Sequence, residues 1–252
     1  MKRANVLSLL AVTALLVAAP AAVALAGSVQ GVPAPSHLAG YANFDLTKGT
    51  STWQANPEPL AAVTVYDNGN APIAGVTSTD LFSVWGDAVT TTGTGLLDEV
   101  GFTIYNAAGG PLLTASVAIT FYDAVTLNPI GGLNGNLNFG AGLPPGSYTI
   151  ASGTGLSGLG INLPTTNILM TQQITGLTGT TNNLGVILMN PPPAVGVGSP
   201  AMFIASSTFG PAGFYTINGI DEADPGYHIG VLEPTPTQTK TWGGVKGEYR
   251  GR

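Results

Sequence analysis

The chain reads as all-β: an antiparallel β-sandwich or jelly roll, built as one large domain or two small sandwiches. Three observations predict this. Apolar residues recur with period two, as Val100, Phe102 and Ile104 do in one segment and Val117, Ile119 and Phe121 in another, which places them on one face of a strand. Thirty-six glycines and 19 prolines among 252 residues interrupt the chain too often for long helices. No charged residue lies between Asp123 and Asp221, yet that stretch is rich in Ile, Leu, Val, Phe and Thr. Such a composition buries a core rather than remaining solvated by charge.

In chain order, Lys2 and Arg3 precede an apolar run from Val6 to Val17, and Ala24-Leu25-Ala26 supplies the small-x-small pattern of a signal-peptidase site. Residues 1–26 are therefore expected to be a signal peptide cleaved after Ala26, and the protein to be secreted, extracellular or at the cell surface. Pro20 and the small residues after it shorten the run below the ~20 apolar residues a spanning helix needs, so no transmembrane anchor is expected in the mature chain. Ser28 stands where a lipoprotein processing box requires Cys, which removes the acylation site.

Residues 27–37 read as a leader, 38–232 as the β-sandwich domain, 233–239 as an extended Pro/Thr linker, and 240–252 as a basic aromatic tail. Within the domain, alternation predicts strands near 61–66, 81–85, 100–105, 117–122, 147–151, 159–163, 168–174, 184–189, 201–206, 213–217 and 227–231. Asn68-Gly69, Asn134-Gly135 and Asn218-Gly219 read as hairpin turns, because both positions tolerate positive φ.

Charge and composition exclude several functions. Loss of the first 26 residues removes Lys2 and Arg3, leaving five basic against 13 acidic residues, a net charge of −8. Nucleic acid binding requires clustered Lys and Arg, and none lies between Lys48 and Lys240. With no cysteine there is no disulfide, thiolate nucleophile or Cys-based zinc site.

Gly153-Thr154-Gly155-Leu156-Ser157-Gly158 matches the dinucleotide fingerprint G-x-G-x-x-G. The residues that follow are strand-like and Pro-terminated, and no acid occurs before Asp221, so the helix and ribose carboxylate of that motif are missing; it reads as a Gly-rich loop. Of the two histidines, His37 lies in the leader and His228 on the strand face opposite Tyr227, Ile229 and Val231, where it is expected to be exposed. No G-x-S-x-G elbow is present, and no catalytic residue is assigned.

Carboxylates leave two further readings. Asp221, Glu222 and Asp224 in an acidic turn are candidate ligands for structural calcium, a hard cation that takes oxygen donors from loops. A pair drawn from Asp98, Glu99, Asp123, Asp221, Glu222 and Asp224 could instead serve a glycan-active hydrolase. Trp53, Trp85, Tyr41, Tyr66 and Tyr122 are candidates for stacking on sugars, with Tyr66 and Tyr122 on the Thr/Ala faces of their strands. The tail concentrates Lys240, Lys246, Arg250 and Arg252 beside Trp242 and Tyr249, a composition suited to a sorting or attachment partner.

Leu97-Asp98-Glu99-Val100-Gly101-Phe102, Val117-Ala118-Ile119-Thr120-Phe121-Tyr122-Asp123 and the Pro-Pro-Gly-Ser-Tyr-Thr segment at 144–149 carry a resemblance. In these the chain is similar to the secreted all-β extracellular proteins of environmental bacteria of the PEP-CTERM or choice-of-anchor type. The resemblance stops short of the sorting segment, since no spanning helix or Arg cluster follows Glu233-Pro234. It implies an extracellular location and no set activity. The expectation is a non-catalytic secreted sandwich, structural or adhesive in the cell envelope or extracellular matrix, with a glycan or envelope component as partner.

Overall fold

A computed structural model describes residues 25–30, 37–45, 50–55, 62–69, 73–179, 184–190, 192–218 and 224–232. Most of the stretch expected to be a signal peptide, the segments expected to be a linker and a tail, and Asp221 and Glu222 lie outside the described residues.

Alternating sequence becomes strand throughout. In chain order these are β1 (Leu25–Gln30), β2 (His37–Asp45), β3 (Thr50–Gln54), β4 (Val63–Asp67), β5 (Ile73–Thr79) and β6 (Val84–Thr90). Long central strands follow: β7 (Gly95–Asn106), β8 (Leu112–Asp123), β9 (Pro129–Leu143) and β10 (Ser147–Thr154). A 3₁₀ turn at Leu156–Leu159 precedes β11 (Asn162–Leu163), β12 (Asn167–Thr178), β13 (Leu184–Met189), β14 (Ala201–Ser206), β15 (Gly210–Asn218), β16 (Asp224–Pro225) and β17 (Tyr227–Val231). Among the described residues no helix is long and apolar enough to cross a membrane.

The strands form two sheets, confirming the all-β sandwich. The first has the order β1-β15-β14-β6-β12-β8-β9. The second runs β16-β13-β7-β10-β2-β3, with β11 and β17 also paired along β7, β4 on β17 and β5 on β13. Pairing is antiparallel except for β1 with β15 and β2 with β10. Two predicted elements differ. The segment at 159–163 is strand only at Asn162–Leu163, with Leu159 still in the preceding 3₁₀ turn, and Asn134-Gly135 lies inside β9 rather than in a hairpin. The stretch expected as a leader also contributes, through Gly27–Gln30 in β1 and His37 in β2.

The main core lies between the sheets. Val117, Ile119 and Phe121 of β8 and Ile168, Met170 and Ile174 of β12 face Val100, Phe102 and Ile104 of β7. Phe44 of β2 reaches across, its ring tilted at 6.4 Å to that of Phe102. Trp85, Val186, Leu188, Met202 and Ile204 form a second cluster, closed by the edge-on contact of Trp85 with Phe209 at 5.4 Å.

The first sheet is apolar on its other face too. Val84, Tyr122, Leu169, Phe203 and Phe214 pack there as a third cluster. Tyr122 is buried in this cluster and cannot stack on a sugar as expected. Tyr66 is buried for another reason: Ile229 pairs with Tyr66 but Gly230 with Thr64. Val65 is thus a bulge, which shifts the alternation and turns Tyr66 inward. Trp85 is 1% exposed and is likewise removed from the sugar-stacking candidates.

Candidate functional site

Two polar clusters meet back to back at β17, where the alternation of Tyr227 and His228 sends one side chain inward and the other outward.

The inner cluster contains Asp87 and Asp224. Asp87 sits on β6 between Met170 of β12 and Met202 of β14 and is fully buried. Burial pushes its carboxyl well above the usual carboxylate range, and the nearby Asp224 pushes it further; the amides of Ser199 and Ala88 pull the other way. Neither oxygen completes a hydrogen bond of good geometry. No Lys or Arg lies between Lys48 and Lys240, and burial beside a second carboxyl favours the protonated form. Tyr66 and Tyr227 complete the cluster as neutral phenols, each raised first by burial and then by Asp87. The Tyr227 hydroxyl donates across the sheets to the Trp85 carbonyl at 3.3 Å.

The segment over this cluster must stay slim. A Cβ on Gly198 would strike the Asp224 carboxylate, and one on Gly196 would lie 2.7 Å from both the Tyr66 ring and the Thr90 carbonyl. Asp224 is therefore not a solvated turn acid: it is 4% exposed and pairs with Met189 of β13. Its partners in the calcium reading, Asp221 and Glu222, lie outside the described residues. Among the described residues, no three His, Asp or Glu side chains converge as a cation set.

The outer cluster is an imidazole between two carboxylates. His228 Nδ1 lies 3.7 Å from Asp67 Oδ1, and its Nε2 lies 3.8 Å from Glu99 Oε2. Strand register creates this, with His228 opposite Asp67 on β4 and Gly230 opposite Glu99 on β7. The expected exposed histidine is instead largely covered, at 12% exposure, with Glu99 at 4%. Asp67 Oδ1 also accepts the Gly69 amide at 3.0 Å, closing the turn after β4. Glu99 accepts the Ala62 amide at 3.3 Å. These contacts describe a charge clamp across three strands, charged only when His228 is protonated.

The remaining hydrolase candidates are dispersed. Asp98 accepts the Ser157 amide at 3.1 Å beside the 3₁₀ turn. Asp123 accepts the amides of Thr126 and Val125 in its own loop, and these bonds, that of Thr126 foremost, lower its pKa.

A third feature lies on the outer face of the second sheet. Tyr148 of β10 is opposite Tyr105 of β7 and Leu38 of β2, while Ile150 is opposite Tyr41. Cross-strand partners share a face, and here the alternating residues Thr149 and Ala151 are the buried ones. Tyr41, Tyr105, Tyr148 and Ile150 are all half-buried, a ledge with rings partly open to solvent. Burial and then the neighbouring Tyr41 raise the Tyr148 pKa. Of the sugar-stacking candidates only Tyr41 falls here. Trp53 is half-buried against Phe139, edge-on at 5.7 Å. Tyr105 and Tyr148 were missed, although their period-two placement in β7 and β10 is visible in the sequence. No family model, curated protein or solved structure matches the chain.

Proposed function

We propose that this is a secreted, non-catalytic β-sandwich, structural or adhesive in the cell envelope or extracellular matrix, and that it touches glycan through the Tyr41–Tyr148–Tyr105 ledge. The observation that carries the reading is this row of partly open phenol rings on a broad sheet face. An aromatic ring offers a rigid apolar surface to a sugar and a hydroxyl to its polar edge. Asp98 and Asp123, each engaged by backbone amides at a separate place, support binding over turnover. So does the charge clamp, whose acids are engaged by backbone amides.

Retention on insoluble polysaccharides (cellulose, chitin and peptidoglycan) tests the ledge. Tyr105→Ala combined with Tyr148→Ala should weaken retention about tenfold, equivalent to ~1.4 kcal/mol, while Tyr122→Phe, on the opposite sheet, should not. Equal retention of all three proteins, or none by the parent, removes the glycan part of the proposal. Export is tested by intact mass: the chain recovered from the medium or cell surface should begin at Gly27. Recovery only inside the cell with residues 1–26 intact removes secretion.

A further inference from the structure

We propose that Asn134, Asn136 and Asn138 of β9, with Thr114 and Ser116 of β8, form a second glycan-contacting face, and that the sandwich bridges two neutral polysaccharide chains. The inference rests on the tyrosine-ledge reading above for one contact and adds the other.

Strand register makes the face. Leu133, Leu137 and Phe139 of β9 turn into the core, so Asn134, Asn136 and Asn138 turn outward and are exposed. Asn138 lies opposite Thr114, which lies opposite Thr178 of β12. Asn136 lies opposite Ser116, and Asn134 opposite Ala118. Successive rungs stand about 7 Å apart along the strands, and neighbouring strands about 5 Å apart. This hydrogen-bonding surface is on the outer face of the first sheet, whereas the ledge is on the outer face of the second. With the core between the sheets, the two surfaces point in opposite directions.

The amides are set before a partner arrives. Asn138 Oδ1 accepts the Gly140 amide at 2.9 Å, and Asn136 Oδ1 accepts the Ser116 hydroxyl at 2.7 Å. An amide whose oxygen is tied down keeps its NH2 group for a partner. Two such donors stand two residues apart on one strand, and their internal bonds cut the ordering cost of binding. The Thr114 and Thr178 hydroxyls, 2.6 Å apart, add acceptor lone pairs beside them.

Charge selects the partner class. Edge strands are usually guarded by charged side chains or Pro. β9 is the last strand of its sheet, and Pro129 guards only its start. No charged residue lies between Asp123 and Asp221. Uncharged donors match the ether, hydroxyl and acetamido oxygens of a neutral polysaccharide, while a polyanion finds no cation here to pair with.

Suspended chitin and cellulose particles test the proposal, because two opposed contacts clump particles that one contact only coats. The parent chain should bind and clump them. Asn136→Asp with Asn138→Asp keeps each side-chain oxygen but removes both NH2 groups. It should lower retention about tenfold, the loss expected of two modest hydrogen bonds, and abolish clumping. Ser207→Asp with Thr208→Asp, in the exposed turn after β14, adds the same charge elsewhere and should behave as the parent. If the first pair folds poorly, Asn136→Ala with Asn138→Ala gives the same readout. Unchanged retention and clumping in the Asn variants would overturn the proposal, and so would binding without clumping by the parent. Self-association of the parent without particles, lost in the Asn variants, would assign the face to a second copy instead. No retention by the parent removes the glycan reading as a whole. Retention lost with Tyr105→Ala and Tyr148→Ala but kept by the Asn variants removes this inference alone.

Discussion

At pH 8, Asp87→Asn is expected to melt several degrees above the parent chain, and at pH 3.5 the two should melt together. Asp87 is fully buried and its pKa is raised, first by burial and then by Asp224. An unfolded aspartate titrates near ~3.9. Below that pH both states are protonated and the buried acid carries no penalty. As pH rises, the unfolded chain ionises while the folded chain keeps the proton. Stability then falls by about 1.4 kcal/mol per unit until the folded pKa is passed. For a domain of this size that slope is roughly 4 °C per pH unit. Asn keeps the shape and a donor but has no proton to lose, so its curve lacks this descent. Asp123, whose pKa is lowered, contributes in the opposite sense, losing stability as pH falls through its folded value. Both proteins share that term, and it cancels in the difference. If the parent's stability instead stays level from pH 4 to pH 8, the carboxylate is ionised in the fold and a counter-cation accompanies it. Calcium, which takes oxygen donors, would then be the first to titrate, with a chelator lowering the melting temperature of the parent alone.

The fold was legible where alternation was made of apolar and Thr residues. β13, β14 and β17 fall where periodicity places them, and β7, β8 and β12 differ only at their ends. β9 alternates just as regularly, with Leu133, Leu137 and Phe139 inward and Asn134, Asn136 and Asn138 outward. It was hidden because Asn-Gly inside it carries a stronger turn signal than strand signal. Tyr66 was misplaced by a single bulge at Val65, which no local pattern marks. The sites depend still more on distant partners. Asp224 was visible as a carboxylate, but its neighbour Asp87 lies 137 positions earlier on another sheet. Its burial follows from Met170 and Met202 flanking it. His228 gains both carboxylates through register alone. What sequence could not supply in each case was a contact across strands.

Gly153→Val and Phe44→Ala should each be strongly destabilising, yet the double variant should be far better than their sum. The Phe44 ring fills the space where both sheets omit a side chain. A Cβ on Gly153 of β10 would strike it, and one on Gly135 of β9 would lie 3.2 Å away. Phe44 is 2% exposed and packs with Phe102, so it has no open route of retreat. Removing the ring leaves a cavity costing about 3–5 kcal/mol. Adding Val at 153 overpacks the same volume, costing about 1–3 kcal/mol. In the double variant the Val methyls enter the cavity the ring has left. The cost there should fall short of the sum by at least ~1 kcal/mol, the scale of coupling between touching residues. Urea unfolding of the four proteins measures this directly, provided the slope with denaturant is shared. Additive losses would mean the ring moves aside when Val is introduced. The space between β9 and β10 would then be soft, and the glycines facing Phe44 would matter for chain flexibility rather than for close approach of the sheets.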